Sequence, residues 1–96
     1  MKTDKPLDAL EYEIAGEKAS SLGRAGRRLE SALAALASVE EGEALRAARL
    51  EAADALWHYL VQREAMGLRD QRAILRAFKV PAEVEALMGA WPARRR

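Results

Sequence analysis

The residues of this chain best suited to chemistry are its single histidine and two nearby carboxylates. His58 follows Asp54 by four residues and Glu51 by seven, so on a helix the three side chains share one face. The set could form a proton-transfer pair or a weak metal site. A metal site needs further convergent ligands, and catalysis needs a pocket. We therefore interpret this face as charged surface and predict no catalytic residue, no metal ligand and no cofactor; the protein is not expected to be an enzyme.

A second candidate is a run of basic residues spaced by three, four and three positions: Arg69, Arg72, Arg76 and Lys79. On a helix this spacing predicts one basic stripe, which could contact nucleic-acid phosphates together with the C-terminal Arg94–Arg96. The next helix would have to contact the bases, yet it carries Glu83 and Glu85 and offers no Arg, Asn or Gln. We therefore interpret the stripe as a solvated or salt-bridged face. Nucleic-acid binding and an acidic protein partner are the alternatives.

No familiar catalytic or targeting motif is present in the sequence. It has no phosphate-binding glycine loop, no HExxH and no serine-nucleophile elbow. The absence of cysteine excludes disulfides and thiolate zinc sites. The first residues lack the apolar core of a signal peptide, and no apolar run approaches the ~20 residues of a membrane span. We expect a cytoplasmic protein that does not associate with membranes.

The elements that must position these residues are helices. The first third contains a strict 3.5-residue repeat: Ala15, Ala19, Leu22, Gly26, Leu29, Leu33 and Leu36. Such a repeat is typical of a helix packed along a seam against another helix. We predict one continuous helix 1 over residues 6–40, with Gly42 as its stop, although Gly16, Gly23 and Gly26 would permit a kink. Arg28 and its charged neighbours are predicted to fill the solvent-facing side of this helix.

The remaining helices are delimited by glycine and proline. Helix 2 is predicted over residues 43–66 with Gly67 as its stop, helix 3 over residues 71–79 with Asp70 as its N-cap, and helix 4 over residues 82–88. Gly89 is predicted to end helix 4, leaving residues 90–96 as a tail.

Helix 2 has too many apolar residues for a helix that is covered on one side only. One apolar face includes Ala52, Leu56 and Tyr59, and a second strip comprises Leu50, Trp57 and Val61. We interpret the second strip either as core beneath Phe78, Leu87 and Trp91 or as an oligomer interface. Leu50, Trp57 and Val61, together with Ala19 and Gly26 of the seam, are therefore the candidate interface residues.

Composition supports an all-α fold. Half of the 96 residues are apolar, many of them alanine, and Val, Ile and Thr are few. We predict a single domain, a long antiparallel hairpin of helices 1 and 2 capped by two short C-terminal helices. A 32-residue helix spans about 48 Å, more than the roughly 32 Å diameter of a round domain of this size. Hence we expect a homo-oligomer, most simply a dimer.

Two segments also carry a resemblance to a known family. The segments Val61-Gln62-Arg63-Glu64 to Gly67-Leu68-Arg69-Asp70 and Val80-Pro81-Ala82-Glu83-Val84 to Met88-Gly89 resemble a family of all-helical proteins of about a hundred residues, mostly proteobacterial, whose function is unknown. The resemblance implies an all-helical fold over nearly the whole chain and brings no activity. From these observations we expect a non-enzymatic interaction or assembly protein with an unknown protein partner. The alternative is a nucleic-acid-associated accessory protein that uses the basic stripe.

Overall fold

The computed structural model describes the backbone of residues 6–94 and the side chains of residues 16–88. In this range the chain forms four α-helices, α1 (Pro6–Ala37), α2 (Glu43–Ala65), α3 (Gln71–Ala77) and α4 (Ala82–Arg94). No strand occurs in the part of the chain so described. The predicted all-α architecture is confirmed.

Helix α1 is continuous through its glycines and determines the shape of the molecule. Its 32 residues correspond to about 48 Å of helix. The molecule measures 59 × 27 × 23 Å with a radius of gyration of 16.6 Å, against about 12.5 Å for a compact chain of this length. The fold is therefore elongated along α1.

Helices α1 and α2 form the antiparallel hairpin that the seam predicts. Ser21 of α1 bonds to Gln62 of α2, and Arg28 bonds to Asp54. By this register the C-terminal end of α2 lies opposite a position near residue 18 of α1. Residues 16–20 are all exposed. About twelve residues at the start of α1 therefore extend beyond α2.

The core lies between α1 and α2 and extends to the C-terminal helices. Its centre is formed by Leu29 of α1, Leu56 of α2 and Val84 of α4, all fully buried. The buried face of α1 also includes Ala32, and the partly buried Ala25 packs against the core. Because neither residue belongs to the predicted seam, the buried face is rotated about the helix axis relative to that seam. Ala19, a predicted seam position, is exposed, because it lies where α1 leaves α2. Small residues on the buried face let the two helix backbones approach closely.

α2 packs against both α1 and α4, yet Val61 of its second apolar strip is 42% exposed. The Phe78 ring lies 5.4 Å from the Tyr59 ring in an edge-to-face arrangement, so Phe78 covers the first apolar face of α2. Of the other residues predicted to cover the Leu50, Trp57 and Val61 strip, Leu87 lies beside Leu50, and the side chain of Trp91 lies outside the described residues.

Two of the predicted helix ends differ in the structure. α1 ends at Ala37, and Gly42 is the N-cap of α2 with φ 87° and ψ −159°, a backbone region that only glycine occupies readily. α4 runs through Gly89 to Arg94. A glycine weakens a helix by about 1 kcal/mol but ends it only where the backbone turns left-handed.

The ends of α2 and α3 share one turn geometry. Gly67 has φ 85°, and the N–H groups of Leu68 and Gly67 bond to the carbonyls of Arg63 and Glu64. This is the Schellman motif, and it confirms Gly67 as a stop. α3 ends the same way, but at Ala77, with Lys79 at the left-handed position with φ 54°. Lys79 therefore lies outside α3, because its backbone has already left the helix.

Candidate interaction groove

An open groove of about 390 Å³ lies between the C-terminal half of α2, the α2–α3 turn and α4. We call it the α2–α4 groove. It is lined by Trp57, Leu60, Val61, Arg63, Glu64, Leu68, Arg69, Asp70, Gln71 and Met88. Trp57, Leu60, Val61 and Glu64 lie on the side of α2 that faces away from α1. The Schellman turn at Gly67 then directs the chain back along the groove and places Leu68 and Arg69 at its edge.

The apolar part of the groove is unusually open to solvent. Val61 is 42% exposed and Leu68 is 39% exposed. Met66, 38% exposed, lies at the same end of the molecule but does not line the groove. These three are the exposed large hydrophobic residues among the described side chains. Their position at one end of α2 marks this region as the main apolar surface of that part of the chain.

The charged rim of the groove is organised by an ion pair. Nη2 of Arg63 donates to Oδ2 of Asp70 at 2.6 Å, and Nε donates to Oδ1 at 3.2 Å. These hydrogen bonds lower the pKa of the Asp70 carboxyl and raise the pKa of Arg63. The same guanidinium lies 5.6 Å from the centre of the Tyr59 ring. Because Asp70 is neutralised by Arg63, the remaining charged side chains at the groove are Arg69 and Glu64.

Asp70 does occupy the N-cap position of α3, as the sequence predicts, yet its side chain makes no capping bond. The carboxylate turns to Arg63 instead, because a bidentate, charge-assisted pair is stronger than one hydrogen bond to a backbone N–H. The sequence carries no signal for this pair, since the two residues are seven apart on either side of a turn.

The candidate interface residues lie in separate places. Trp57 and Val61 line the α2–α4 groove, whereas Leu50 lines a second groove beside Leu87 of α4. A Cβ placed on Gly26 would lie 3.1 Å from Cε1 of Tyr59. Gly26 therefore lets the backbone of α1 lie close to the Tyr59 ring of α2 in the same chain. The groove is also lined by Leu68, Arg69 and Met88, which are not among the predicted interface residues. The turn at Gly67 and the packing of α4 place them at the groove, and neither can be read from helical spacing.

The predicted basic stripe is exposed but does not form one helix face. Only Arg72 and Arg76 belong to α3, since Arg69 precedes its N-cap and Lys79 follows its C-cap. Arg72 and Arg76 line a shallow groove together with Glu85 of α4. All four basic side chains are exposed. The stripe is thus a basic surface around α3, with Arg69 at the edge of the α2–α4 groove.

The cluster of Glu51, Asp54 and His58 is centred on Arg28, a residue predicted on the solvent-facing side of helix 1. Arg28 donates to Glu51 Oε2 at 2.9 and 3.0 Å and to Asp54 Oδ2 at 2.8 Å. The hydrogen bond to Asp54 is the main cause of a raised Arg28 pKa. Arg28, predicted on the solvent-facing side of helix 1, is thus only half-exposed and joins α1 to α2. Arg28 flanks the buried face because that face is rotated toward Ala25 and Ala32.

The hydrogen bond and the ring contact of His58 are both to residues of its own helix. Its Nδ1 lies 2.9 Å from the backbone carbonyl of Asp54 and its ring packs edge-on against Trp57. A carbonyl oxygen only accepts, so Nδ1 carries the proton in this hydrogen bond. Within the described side chains no three His, Asp or Glu residues converge to hold a metal ion.

The comparisons with known proteins identify a family and no function. Neither the curated proteins nor the solved structures contain a match to this chain. Across the described helices, no segment has the length and apolar character needed to cross a bilayer. The model of a family of unknown function, DUF6665, matches residues 1–96. The match covers the whole chain, and the protein accordingly belongs to the DUF6665 family, a family of unknown function.

Proposed function

We propose that the protein is a non-enzymatic, self-associating interaction protein and that its basic assembly is a dimer. The observation that carries the proposal is the length of α1 relative to α2. From the Ser21–Gln62 and Arg28–Asp54 bonds, α2 ends opposite residue 18, so Pro6–Glu17 has no second helix of the hairpin beside it.

A helix end of this length that extends past the other helix of its hairpin requires support. Twelve residues extend about 18 Å, and isolated helices shorter than ~12–15 residues are marginal in water. The sequence of this segment includes Leu7, Leu10 and Ile14 at steps of three and four, the spacing of one apolar helix face. A second chain lying along the segment would bury this face and would explain why α1 is longer than its partner in the hairpin.

Light scattering coupled to size exclusion tests the proposal directly. We expect a mass of twice 10.6 kDa and a melting temperature that rises with protein concentration, because association stabilises the folded state by mass action. A mass of 10.6 kDa throughout the micromolar range, with a concentration-independent melting temperature, would refute self-association.

The exposed basic surface around α3 favours one second candidate, an accessory protein that binds nucleic acid. Arg69, Arg72, Arg76 and Lys79 form no ion pair among the side chains that the structure describes. The predicted contribution of Arg94–Arg96 depends on side chains that lie outside the described residues. Retention of DNA or RNA that falls steeply between 50 and 200 mM salt would support this candidate. Absence of retention at low salt would exclude it.

A further inference from the structure

We infer that the α2–α4 groove is a self-complementary contact surface, so that the groove of one chain lies against the same groove of a second chain across a two-fold axis. The inference rests on the proposed self-association and assigns its contact surface. It is carried by the side chains of the groove, which supply both halves of such a contact.

The charges of the groove are balanced, and only some of them are already paired. Arg63 and Asp70 bond to each other. The other two charged residues of the lining are Glu64 and Arg69. Both are exposed, and neither forms an ion pair with another described side chain. The groove therefore offers one acidic and one basic side chain to whatever covers it.

This balance favours a second copy of the same surface. A strongly acidic or strongly basic partner would place a like charge against Glu64 or against Arg69, at a cost in affinity. In a two-fold contact each residue meets the equivalent surface of the other chain, and every pair occurs twice. Glu64 of each chain can then pair with Arg69 of the other, and both charges are satisfied.

The exposed apolar residues lie next to the same two charges. Val61, 42% exposed, lies one helical turn before Glu64, and Leu68, 39% exposed, directly precedes Arg69. Pairing of Glu64 with Arg69 of the second chain therefore also brings Val61 towards Leu68 of that chain. Burial of this apolar surface supplies the affinity, whereas the exposed ion pairs are weak and serve to set the orientation of the two chains.

The groove also lies at the end of the molecule where the proposed self-association requires a second chain. α2 ends opposite residue 18 of α1, and Val61–Arg69 is the segment at that end. A two-fold axis at the groove places the second chain at the end of the hairpin from which α1 extends.

Charge reversals test the pairing, because a two-fold contact repeats each change. Glu64→Arg places an arginine opposite Arg69 twice, and Arg69→Glu places a glutamate opposite Glu64 twice. In equilibrium sedimentation we expect either variant to raise the dimer dissociation constant at least tenfold. The controls Glu41→Arg and Arg72→Glu reverse exposed charges outside the groove and should change it less than threefold. Circular dichroism of each variant verifies the fold.

Restoration of the dimer identifies the occupant. The double variant Glu64→Arg/Arg69→Glu exchanges the two charges, so its homodimer regains two opposite pairs and its dissociation constant should return to within threefold of the wild type. An equimolar mixture of the two single variants should form a heterodimer for the same reason. Val61→Glu places a charge against Leu68 of the second chain and should weaken the dimer at least tenfold, whereas Ala73→Glu, on the exposed side of α3, should not.

The outcomes separate this contact from the proposed self-association. A monomeric wild-type protein refutes self-association itself. A wild-type dimer that Glu64→Arg, Arg69→Glu and Val61→Glu leave intact shows that the chains associate through another surface and overturns the groove contact alone. If the reversals weaken the dimer but neither the double variant nor the mixture restores it, the groove lies against a different surface of the second chain, and the two-fold arrangement is overturned.

Discussion

Arg63 and Asp70 clamp the end of α2 to the beginning of α3, with two hydrogen bonds between one guanidinium and one carboxylate. The turn between them contains Gly67 in a left-handed conformation. The pair therefore stabilises the corner that shapes the α2–α4 groove. Arg63 also contacts the Tyr59 ring and hydroxyl, which connects this corner to the hairpin core.

Loss of the clamp should lower stability only where Asp70 is ionised. Arg63 holds the pKa of Asp70 below its ordinary value of about 3.9. The stabilisation is therefore fully present above that value and is lost as pH falls through the lower pKa of the folded state. We expect Asp70→Asn to reduce the melting temperature at pH 7 and to show a smaller deficit at pH 3, below the ordinary pKa of the carboxyl. An equal deficit at both pH values would show that the substitution acts through the N-cap position instead.

Gly26 should not tolerate a large side chain. A Cβ there would lie 3.1 Å from Cε1 of Tyr59, so Gly26→Leu should destabilise the protein by about 1–3 kcal/mol through overpacking, despite the better helix propensity of leucine. Gly23→Ala is the control, since its Cβ would meet only the end of Arg27 at 3.5 Å. The control should gain up to about 1 kcal/mol from helix propensity. Thermal denaturation of both variants measures the contrast, and a Gly26→Leu protein that melts above the wild type would contradict it.

The two Schellman turns should respond in opposite ways to substitution. Gly67 and Lys79 occupy the same left-handed position at the ends of α2 and α3, with φ values of 85° and 54°. Gly67→Ala should cost about 1 kcal/mol, because a Cβ disfavours this conformation. Lys79→Gly should stabilise the protein by about 0.5–1 kcal/mol, since relief of the strain outweighs the added entropy of the unfolded chain. Chemical denaturation reports both changes, and destabilisation by Lys79→Gly would indicate that the lysine side chain makes a stabilising contact.

His58 should be less important for stability than Arg28. The His58 ring bonds to a carbonyl of its own helix and packs on the adjacent Trp57, whereas Arg28 joins α1 to Glu51 and Asp54 of α2. Exposed ionic contacts contribute about 0.2–1 kcal/mol each. We expect His58→Ala to shift the melting temperature by only a few degrees and to leave association unchanged, and Arg28→Ala to cause the larger shift. Loss of association or of a bound metal in His58→Ala would make His58 a functional centre.

Periodicity in the sequence determined the hairpin and much of its core. Leu29 and Leu36 are buried as the 3.5-residue seam predicts, and α2 packs against both α1 and α4. Gly67 ends α2 because a left-handed turn is a local requirement that glycine meets. These features depend on residues within a few positions of one another, so a sequence can express them directly.

Tertiary structure alone decided which charged side chains would meet. Arg28 reaches Glu51 and Asp54 because α1 is rotated toward its small residues, and Arg63 reaches Asp70 because a turn reverses the chain. The groove likewise depends on the course of α4 past α2, which brings Met88 to Trp57 and Leu68. A long charged side chain fits the same sequence pattern whether it extends into solvent or forms an ion pair. The relative position of the helices decides which of the two arrangements occurs.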